Sequence, residues 1–309
     1  MTNKTFSFID LFAGIGGFRT AIDNLGGECL FSNDIDKYAQ QTYLANYGSA
    51  GYRFGDIQTI PAEEIPSHDL LVGGFPCQPF SNAGLKIGFN DIRGNLFFQI
   101  VRILEHHRPN CFLLENVKSL VNHDQGRTFL VMQKALKQLH YHLQWQVIDA
   151  RHWVPQKRER VYLVGLKQDT DFSFNKVFLP PLETAPLLQT ILEPQVDPKY
   201  TLSDVAWAGR LKHAQRHLDK GNGFGYGLFG SNDVARTLTA RYYKDGSEIL
   251  IEQTGQNPRK LTPRECARLM GFSDNFQIVC SDTQAYKQFG NSVVVPVIEA
   301  IGTAILPYI

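Results

Sequence analysis

A thiol, a carboxylate and two guanidinium groups in this sequence could act together on a substrate. The thiol belongs to Cys77, in the stretch GGFPCQPFS of residues 73–81, where Pro76 and Pro79 restrict the backbone on both sides. A cysteine thiolate is a strong nucleophile that can form a covalent intermediate. The alternative is an inert core cysteine, because free cysteines are usually buried. The stretch alone leaves both interpretations open.

The carboxylate and the guanidinium groups border two other apolar stretches. Glu115 directly follows the apolar residues 111–114, and Arg158 and Arg160 precede the apolar residues 161–165. A carboxylate at the end of an apolar strand is a poor structural choice unless it is paired or lies in a cleft. The arginines could equally form a solvated charged face. Close to a nucleophile, however, such an acid and such cations have the types that a catalytic site needs.

The elements that must position these groups have the pattern of an α/β sheet. Residues 69–72 before Cys77 have the pattern of a buried parallel strand, and residues 6–12 form a strand that turns through Ala13-Gly14-Ile15-Gly16-Gly17 into a helix. Ligands in open α/β sheets bind at the carboxyl ends of the strands. We therefore predict one cleft at that edge.

The same edge is predicted to hold a nucleotide-like ligand. The turn before Gly17 lacks the GxGxxG spacing, so no pyrophosphate cradle is expected, and a purely structural turn remains an alternative. Asp34 ends the second strand about twenty residues later, where a ribose is commonly bound. Asp56 ends the third strand, and Asp36 is predicted to cap the helix that follows it. Thr262 is likewise predicted to cap a helix whose first turn contains Pro263, and residues 286–296 are predicted to include a compact polar loop before an apolar helix that ends near Leu306.

Composition limits the function classes. The 309 residues, 43% hydrophobic, are enough for one α/β domain and a smaller one, and the net charge of +1 argues against a strongly basic scaffold. Five cysteines without a CxxC pair indicate neither a disulfide framework nor a metal site. No targeting segment or apolar run long enough for a membrane span is apparent, so a cytoplasmic protein without a membrane partner is expected.

The strand and helix rhythm is lost after the proline-rich residues 179–181, which predicts three segments: residues 1–178 and 259–309 in the main domain, and 179–258 in a second one. Between residues 199 and 244, eight basic and three acidic residues give +5. Seven aromatic residues are interleaved with them, a combination that suits a nucleic-acid surface. These are Tyr200, Trp207, Phe224, Tyr226, Phe229, Tyr242 and Tyr243.

Taken in order, these stretches resemble the motifs of one family, the cytosine-C5 DNA methyltransferases of the bacterial restriction-modification type. The similar stretches are DLFAGIGG (10–17), PCQ (76–78), ENV (115–117), QKRER (156–160), residues 261–272 and QFGNS (288–292). The resemblance implies a Rossmann-like, S-adenosyl-L-methionine-dependent methyltransferase domain with a smaller, irregular target-recognition domain.

The resemblance also assigns roles. Cys77 would add to C6 of a cytosine flipped out of double-stranded DNA, Glu115 would bind N3 and the exocyclic amine, and Arg160 would hold O2. Arg158 would be a second positive group that favours the thiolate, and residues 82–94 would form a lid. The implied contacts to S-adenosyl-L-methionine are Phe12, Gly14, Ile15, Gly16, Asp34, Ile35, Asp56, Ile57, Pro76, Asn291 and Ser292, and those to DNA are Ser81, Arg236, Arg241 and Lys244.

Residues 220–251 resemble the recognition segment of methylases acting on CCGG, CCNGG or CCWGG sites. A monomer with a cognate restriction endonuclease is expected. Two positions depart from the family pattern: Asp34 replaces a more frequent glutamate, and Ile35 an aromatic residue. The alternatives are a transfer-RNA C5 methylase, whose Cys-Phe-Thr element is absent from the sequence, and a DNA-binding regulator without turnover. A nicotinamide-dependent enzyme fails on the missing GxGxxG.

Overall fold

The computed structural model describes residues 6–76, 96–222 and 225–309. Cys77, Ser81, Phe224 and the predicted lid at residues 82–94 lie outside the described residues. The chain divides into two compact units: unit 1 comprises Met1–Ile148, Glu159–Leu179 and Val295–Ile309, and unit 2 comprises Asp149–Arg158 and Pro180–Val294. Unit 2 is therefore larger than the predicted second domain, because it also includes residues 149–158 and 259–294.

Unit 1 is built on a seven-stranded sheet with the order β3-β2-β1-β4-β5-β7-β6, in which β7 runs antiparallel to β5. The pairs among β1, β2, β3, β4 and β5 are parallel, as predicted. The strands are β1 (Phe6–Leu11), β2 (Gly27–Asp34), β3 (Tyr52–Phe54), β4 (Leu70–Gly74), β5 (Cys111–Val117), β6 (His142–Asp149) and β7 (Glu159–Leu166). In the described residues, the α-helices of this unit are α1 (Gly17–Asn24), α2 (Lys37–Tyr47), α3 (Leu96–His107), α4 (Arg127–Gln138) and, after unit 2, α8 (Val295–Ile305).

Helices cover this sheet because its strands are apolar on both faces. Ile9 and Leu11 of β1 belong to a buried cluster that includes the apolar sides of α3 and α4. The alternate residue Phe8 points to the other face. There α1 packs against α8, and a Cβ atom at Gly302 would lie 2.4 Å from Leu25 Cδ1. The arrangement is the expected Rossmann-like α/β fold.

In its described residues, unit 2 contains three α-helices and a three-stranded sheet of very short strands. Its elements are α5 (Asp204–Asp219), β8 (Leu228–Phe229), β9 (Leu250–Ile251), β10 (Arg259–Lys260), α6 (Pro263–Leu269) and α7 (Asp282–Asn291). Thr262 caps α6 in a capping box with Glu265, which confirms the predicted helix start. The polar loop predicted within residues 286–296 is largely wrong, because residues 286–291 form the last part of α7 and α8 begins at Val295, which leaves only residues 292–294 between the two helices.

One stretch, Asp282–Tyr308, passes the length and composition test for a membrane span, contrary to the sequence expectation. It consists of α7 and α8 with a break at Ser292, and 56% of its most apolar window is buried inside the protein. Core helices pass the same test, so this is weak evidence for a membrane.

Candidate active site

An ion pair joins Glu115 and Arg160 where β5 ends and the antiparallel β7 begins. The ladder pairs Glu115 with Tyr162 and Val117 with Arg160, which places both side chains at the carboxyl edge of the parallel strands. Arg160 Nε lies 3.0 Å from Glu115 Oε1, and the two side chains are only 16% and 11% exposed. An arginine and a carboxylate in this geometry form a charge-assisted hydrogen bond. The fold therefore brings together two of the predicted catalytic groups.

Asn116 connects this edge to the chain segment that precedes Cys77. Its Nδ2 donates a hydrogen bond to the Phe75 carbonyl (2.9 Å), and its Oδ1 accepts one from the Val117 backbone N–H (2.8 Å). Asn116 is 2% exposed, and its neighbour Glu115 pairs with Gly74 in the parallel ladder. The exit of β4 is thereby fixed to the end of β5 up to Phe75.

The glycine turn after β1 has a backbone that few residue types adopt. Gly14 has φ 56°, Gly16 has φ 85°, and Phe12, which has a side chain, has φ 58°. A non-glycine residue in the left-handed region costs free energy and is often associated with a functional site. Tyr47 supports the turn from α2 by donating from its hydroxyl to the Gly16 carbonyl (3.0 Å). A Cβ atom at Gly16 would lie 2.4 Å from the Tyr47 ring.

A cofactor fits at this turn. Within residues 6–76, 96–222 and 225–309, a Cβ atom at Gly14 would meet no heavy atom within 4 Å, so this part of the chain leaves the space over the turn open. Asp34 reaches it from the end of β2, because one carboxylate oxygen accepts a hydrogen bond from the Gly14 N–H (2.8 Å) and the other from the Asp36 N–H (2.7 Å). Burial raises the pKa of Asp34, and those two N–H groups oppose the shift. Open space, strained backbone and a carboxylate together suit a nucleoside-bearing ligand.

Other predicted cofactor residues differ in what they can offer. Ile35 is 64% exposed, whereas the side chains of Ile15 and Ile57 are buried, so only the backbone of those two residues remains for a ligand. Asp56 accepts a hydrogen bond from the Gln58 N–H and begins a short 3-10 helix. Asp36 accepts from the N–H groups of residues 38 and 39, which confirms its predicted role as the cap of α2.

Three further residues at this edge did not emerge from the sequence. Asn33 donates from its amide to the carbonyls of Arg53 (2.8 Å) and Gly55 (3.0 Å), which holds the end of β3 beside β2. Arg102 on α3 donates to the carbonyls of Ile57 and Ile60. The residue types alone gave no signal, because the acceptors are backbone carbonyls that any residue carries.

Asp10 is the third, a fully buried carboxylate on β1. Neither of its oxygens makes a hydrogen bond of good geometry within the described residues, although the Arg19 backbone N–H is close enough to favour the anion. Burial raises the pKa of Asp10 well above its usual value, while the nearby Arg19 charge acts in the opposite direction. In the sequence, the available signal for Asp10 was a carboxyl group within an otherwise apolar strand.

Arg158 belongs to unit 2 and has contacts that differ from those predicted. It is 3% exposed, and its guanidinium donates to the carbonyls of Leu238 (2.7 Å), Gly290 (3.1 Å) and Ser292 (2.9 Å). Gln156 links two segments of the same unit: its Nε2 donates to the Leu269 carbonyl, and its Oε1 accepts from the Leu238 N–H. These contacts give Arg158 a structural role within unit 2. Its predicted effect on the Cys77 thiolate stays a prediction, because Cys77 lies outside the described residues.

The remaining predicted residues of unit 2 lie at its surface or next to it. Arg236, Arg241 and Lys244 are exposed, Asn291 is exposed at the end of α7, and Ser292 is half-buried. Two of the seven aromatic residues predicted for a nucleic-acid surface belong instead to the interior. Tyr200 is 8% exposed, and Tyr242 is fully buried, with its hydroxyl donating to the Ile249 carbonyl (2.7 Å). Across residues 6–76, 96–222 and 225–309, no group of three or more metal-ligating side chains is found.

Comparisons with known proteins show what the chain is similar to. A family model described as C-5 cytosine-specific DNA methylase matches residues 6–307. The Type II methyltransferase M.DsaV of Dactylococcopsis salina is 50% identical over 311 aligned residues, which cover 100% of this chain and 88% of that protein. M.NlaX of Neisseria lactamica, also a Type II methyltransferase, is 54% identical over 96% of this chain and 95% of its own length. The crystal structure of S. pombe Dnmt2 methyltransferase matches with a TM-score of 0.81 over 98% of this chain and 99% of that one; at 22% identity this likeness concerns the fold alone.

Proposed function

Since this chain belongs to the family of C-5 cytosine-specific DNA methylases, we propose that it methylates one cytosine of a short duplex DNA site through a covalent bond between Cys77 and C6 of the base. It is a DNA (cytosine-5-)-methyltransferase of the type II restriction-modification kind. Its methyl donor is S-adenosyl-L-methionine, which supplies an electrophilic methyl group when bound.

The observation that carries the proposal is the Glu115–Arg160 pair at the edge where Asn116 holds Phe75. Cys77 follows Phe75 by two residues, and consecutive Cα atoms are about 3.8 Å apart. The nucleophile is therefore proposed to act beside the carboxylate and the guanidinium. A carboxylate can accept a hydrogen bond from the exocyclic amine of cytosine, and a guanidinium can donate to its O2.

In the proposed reaction the Cys77 thiolate forms a bond to C6, and the electron pair of the C5–C6 double bond becomes available at C5. Glu115 stabilises the charge that develops toward N3 by sharing a proton there, and Arg160 stabilises O2. C5 forms its bond to the methyl group as the methyl–sulfur bond of the donor breaks, with the electron pair of that bond remaining on sulfur as a neutral thioether. C5 then loses its proton to a base. Elimination from C6 restores the double bond and releases the Cys77 thiolate.

The methyl donor is proposed to bind over the glycine turn. Gly14 leaves the necessary space, Asp34 would accept from the ribose, and the segment at Asp56 and Ile57 would meet the adenine through its polar backbone. Phe12 and Gly16 would shape the turn. Pro76, Ile15, Ile35, Asn291 and Ser292 complete the proposed contacts.

Duplex DNA cannot present C6 of a stacked cytosine to a thiol, so base flipping is part of the proposal. Ser81, Arg236, Arg241 and Lys244 are the proposed DNA contacts, and residues 82–94 the proposed lid. The site is proposed to be of the CCGG, CCNGG or CCWGG type. We further propose a cytoplasmic monomer, with unit 2 in target recognition and a restriction endonuclease acting on the same site.

The test incubates the protein with methyl-labelled S-adenosyl-L-methionine and a library of random-sequence duplexes, followed by sequencing of the methylated cytosines. Labelled DNA with one short consensus supports the proposal, whereas label in RNA alone, or none, overturns it. Cys77→Ser is expected to abolish transfer while DNA binding persists. Cys280→Ser is the control, because that half-buried thiol lies in unit 2, where its Sγ donates to Gln288 Oε1 (3.3 Å), and is not among the proposed catalytic residues. Transfer by the Cys77 variant at the rate of the control would show that another group is the nucleophile.

A further inference from the structure

Helix α5 of unit 2 presents a row of basic side chains to solvent. Lys212, Arg216 and Lys220 follow one another at intervals of four residues, the last at the end of the helix, and all three are exposed. Residues four apart lie on one side of a helix, about 6 Å apart along its axis. The row therefore spans about 12 Å, which is the axial length of three to four base-pair steps of B-DNA.

The row has no partner in the described part of the chain. No ion pair or side-chain hydrogen bond of Lys212, Arg216 or Lys220 is found there, although Arg210 on the same helix does make such contacts. No residue of α5 is fully buried, and the basic row lies on its exposed side, so core packing does not explain these three side chains. Asp219 lies beside the row on the same helix, but it accepts from Gln215 (2.8 Å) and forms no ion pair with the row in the described residues. The three cations therefore repel one another, and an anionic partner would remove that cost.

The opposite side of α5 is fixed to the rest of unit 2. The ring of Trp207 packs edge-on against Tyr226 with centroids 4.8 Å apart, and a Cβ atom at Gly225 would lie 3.3 Å from Ala214 Cβ. Arg210 also donates to the carbonyl of Asp245, the residue that follows Lys244. The helix is thus anchored beside one of the residues proposed to contact DNA.

We propose that Lys212, Arg216 and Lys220 form a phosphate-binding row on α5 that holds the DNA backbone next to the recognised site. This inference rests on the proposed function, because it takes duplex DNA as the partner. Lysine and arginine contacts to phosphates fix the position of a protein on a duplex and carry no sequence information. The row accordingly contributes affinity and not the choice of site.

The test compares Lys212→Gln/Arg216→Gln with a matched control, Lys134→Gln/Lys137→Gln. Both pairs consist of exposed residues on one helix, and one member of each lies in the last turn. Equilibrium binding to a duplex containing the methylated site and to an unrelated duplex is measured from 50 to 300 mM salt, with methyl transfer at saturating DNA in parallel.

Removal of two phosphate contacts should reduce the slope of log K against log salt by about 1.8, equally on both duplexes. The control should keep the wild-type slope, and kcat at saturating DNA should be unchanged in both proteins. A slope equal to that of the control, or a loss confined to the site-containing duplex, would overturn the inference. If the wild type transfers no methyl group to DNA, the proposed function fails by itself, since the slopes are measured without turnover.

Discussion

The hydrogen bond from Asn116 to Phe75 gives a quantitative prediction about how the catalytic edge is held together. Asn116→Ala removes the amide that donates to the Phe75 carbonyl and the oxygen that accepts from the Val117 N–H. Asn116 itself is 2% exposed, so the lost contacts are not simply replaced by bulk water. An unsatisfied buried polar group costs about 1–3 kcal/mol, which is the expected loss in the free energy of unfolding.

The same loss should reduce the rate of transfer. Phe75 lies two residues before Cys77, so the variant no longer fixes the approach to the nucleophile. If the whole loss of 1–3 kcal/mol raises the free energy of the active arrangement relative to inactive arrangements, the transfer rate falls by about 5-fold to 150-fold, because each 1.36 kcal/mol corresponds to a factor of ten. Single-turnover methyl transfer with saturating donor and DNA measures this rate, and urea unfolding measures the stability.

Tyr141→Phe is the matched control. The Tyr141 hydroxyl is buried and donates to the Pro109 carbonyl (2.8 Å), near the opposite end of β5. It too loses one hydrogen bond to a backbone carbonyl, with a comparable expected loss of stability. Its transfer rate should stay at the wild-type value. If both variants lose stability equally and both keep the wild-type rate, the proposed positioning role of Asn116 is wrong.

Three other substitutions test separate parts of the structure. Gly14→Ala should lower the free energy of unfolding by about 1–2 kcal/mol because of its left-handed backbone, and it should raise KM for S-adenosyl-L-methionine. Gly16→Ala should lower the free energy of unfolding by about 2–5 kcal/mol, because its Cβ atom also meets Tyr47. Equal unfolding midpoints of the two variants would contradict this difference. Glu265→Ala should lower the free energy of unfolding in urea by about 3–5 kcal/mol, because Arg259, which is 5% exposed, loses a bidentate partner at 2.7 and 2.8 Å. Asp274→Asn breaks an exposed ion pair with Arg268 and should lower it much less. Asp10→Asn tests the buried carboxyl group. Burial raises its pKa in the folded state, so its stabilising contribution is complete below its unfolded pKa of about 3.9 and is lost as the pH rises toward the folded pKa. The stability of the variant relative to wild type should therefore increase as the pH rises above about 4, and a constant difference would show that Asp10 titrates normally.

The sheet and its functional edge could be predicted from the sequence because their signals are local. Apolar runs followed by glycine, aspartate or glutamate mark the strand ends, and the parallel order brings those ends together. Asp36 and Thr262 were predicted as caps for the same reason, since a helix start is encoded within a few residues. The ion pair of Glu115 with Arg160 follows once the two strands are neighbours.

The supporting contacts could not be predicted because they join distant parts of the chain through backbone atoms. The sequence did not reveal that the Arg158 guanidinium donates to carbonyls 80 to 134 residues away. Tyr242 belongs to a basic, aromatic-rich segment whose composition suits a binding surface, yet its ring is buried. The type of a residue shows whether its side chain can donate a hydrogen bond or stack on a ring. It does not show whether the folded chain places that side chain in the interior or at the surface.

The packing of α8 on α1 has a consequence for how the protein is made. These two helices belong to unit 1, but the whole of unit 2 lies between them in the sequence. On a ribosome adding about 5–20 residues per second, α1 would wait tens of seconds before α8 emerges to cover it. During that time the helical layer that begins at the glycine turn of α1 would lack α8. The contact between α1 and α8 joins residues far apart in the sequence, and such contacts slow folding. The donor-binding half of the enzyme would therefore be finished last, although its motif is translated first.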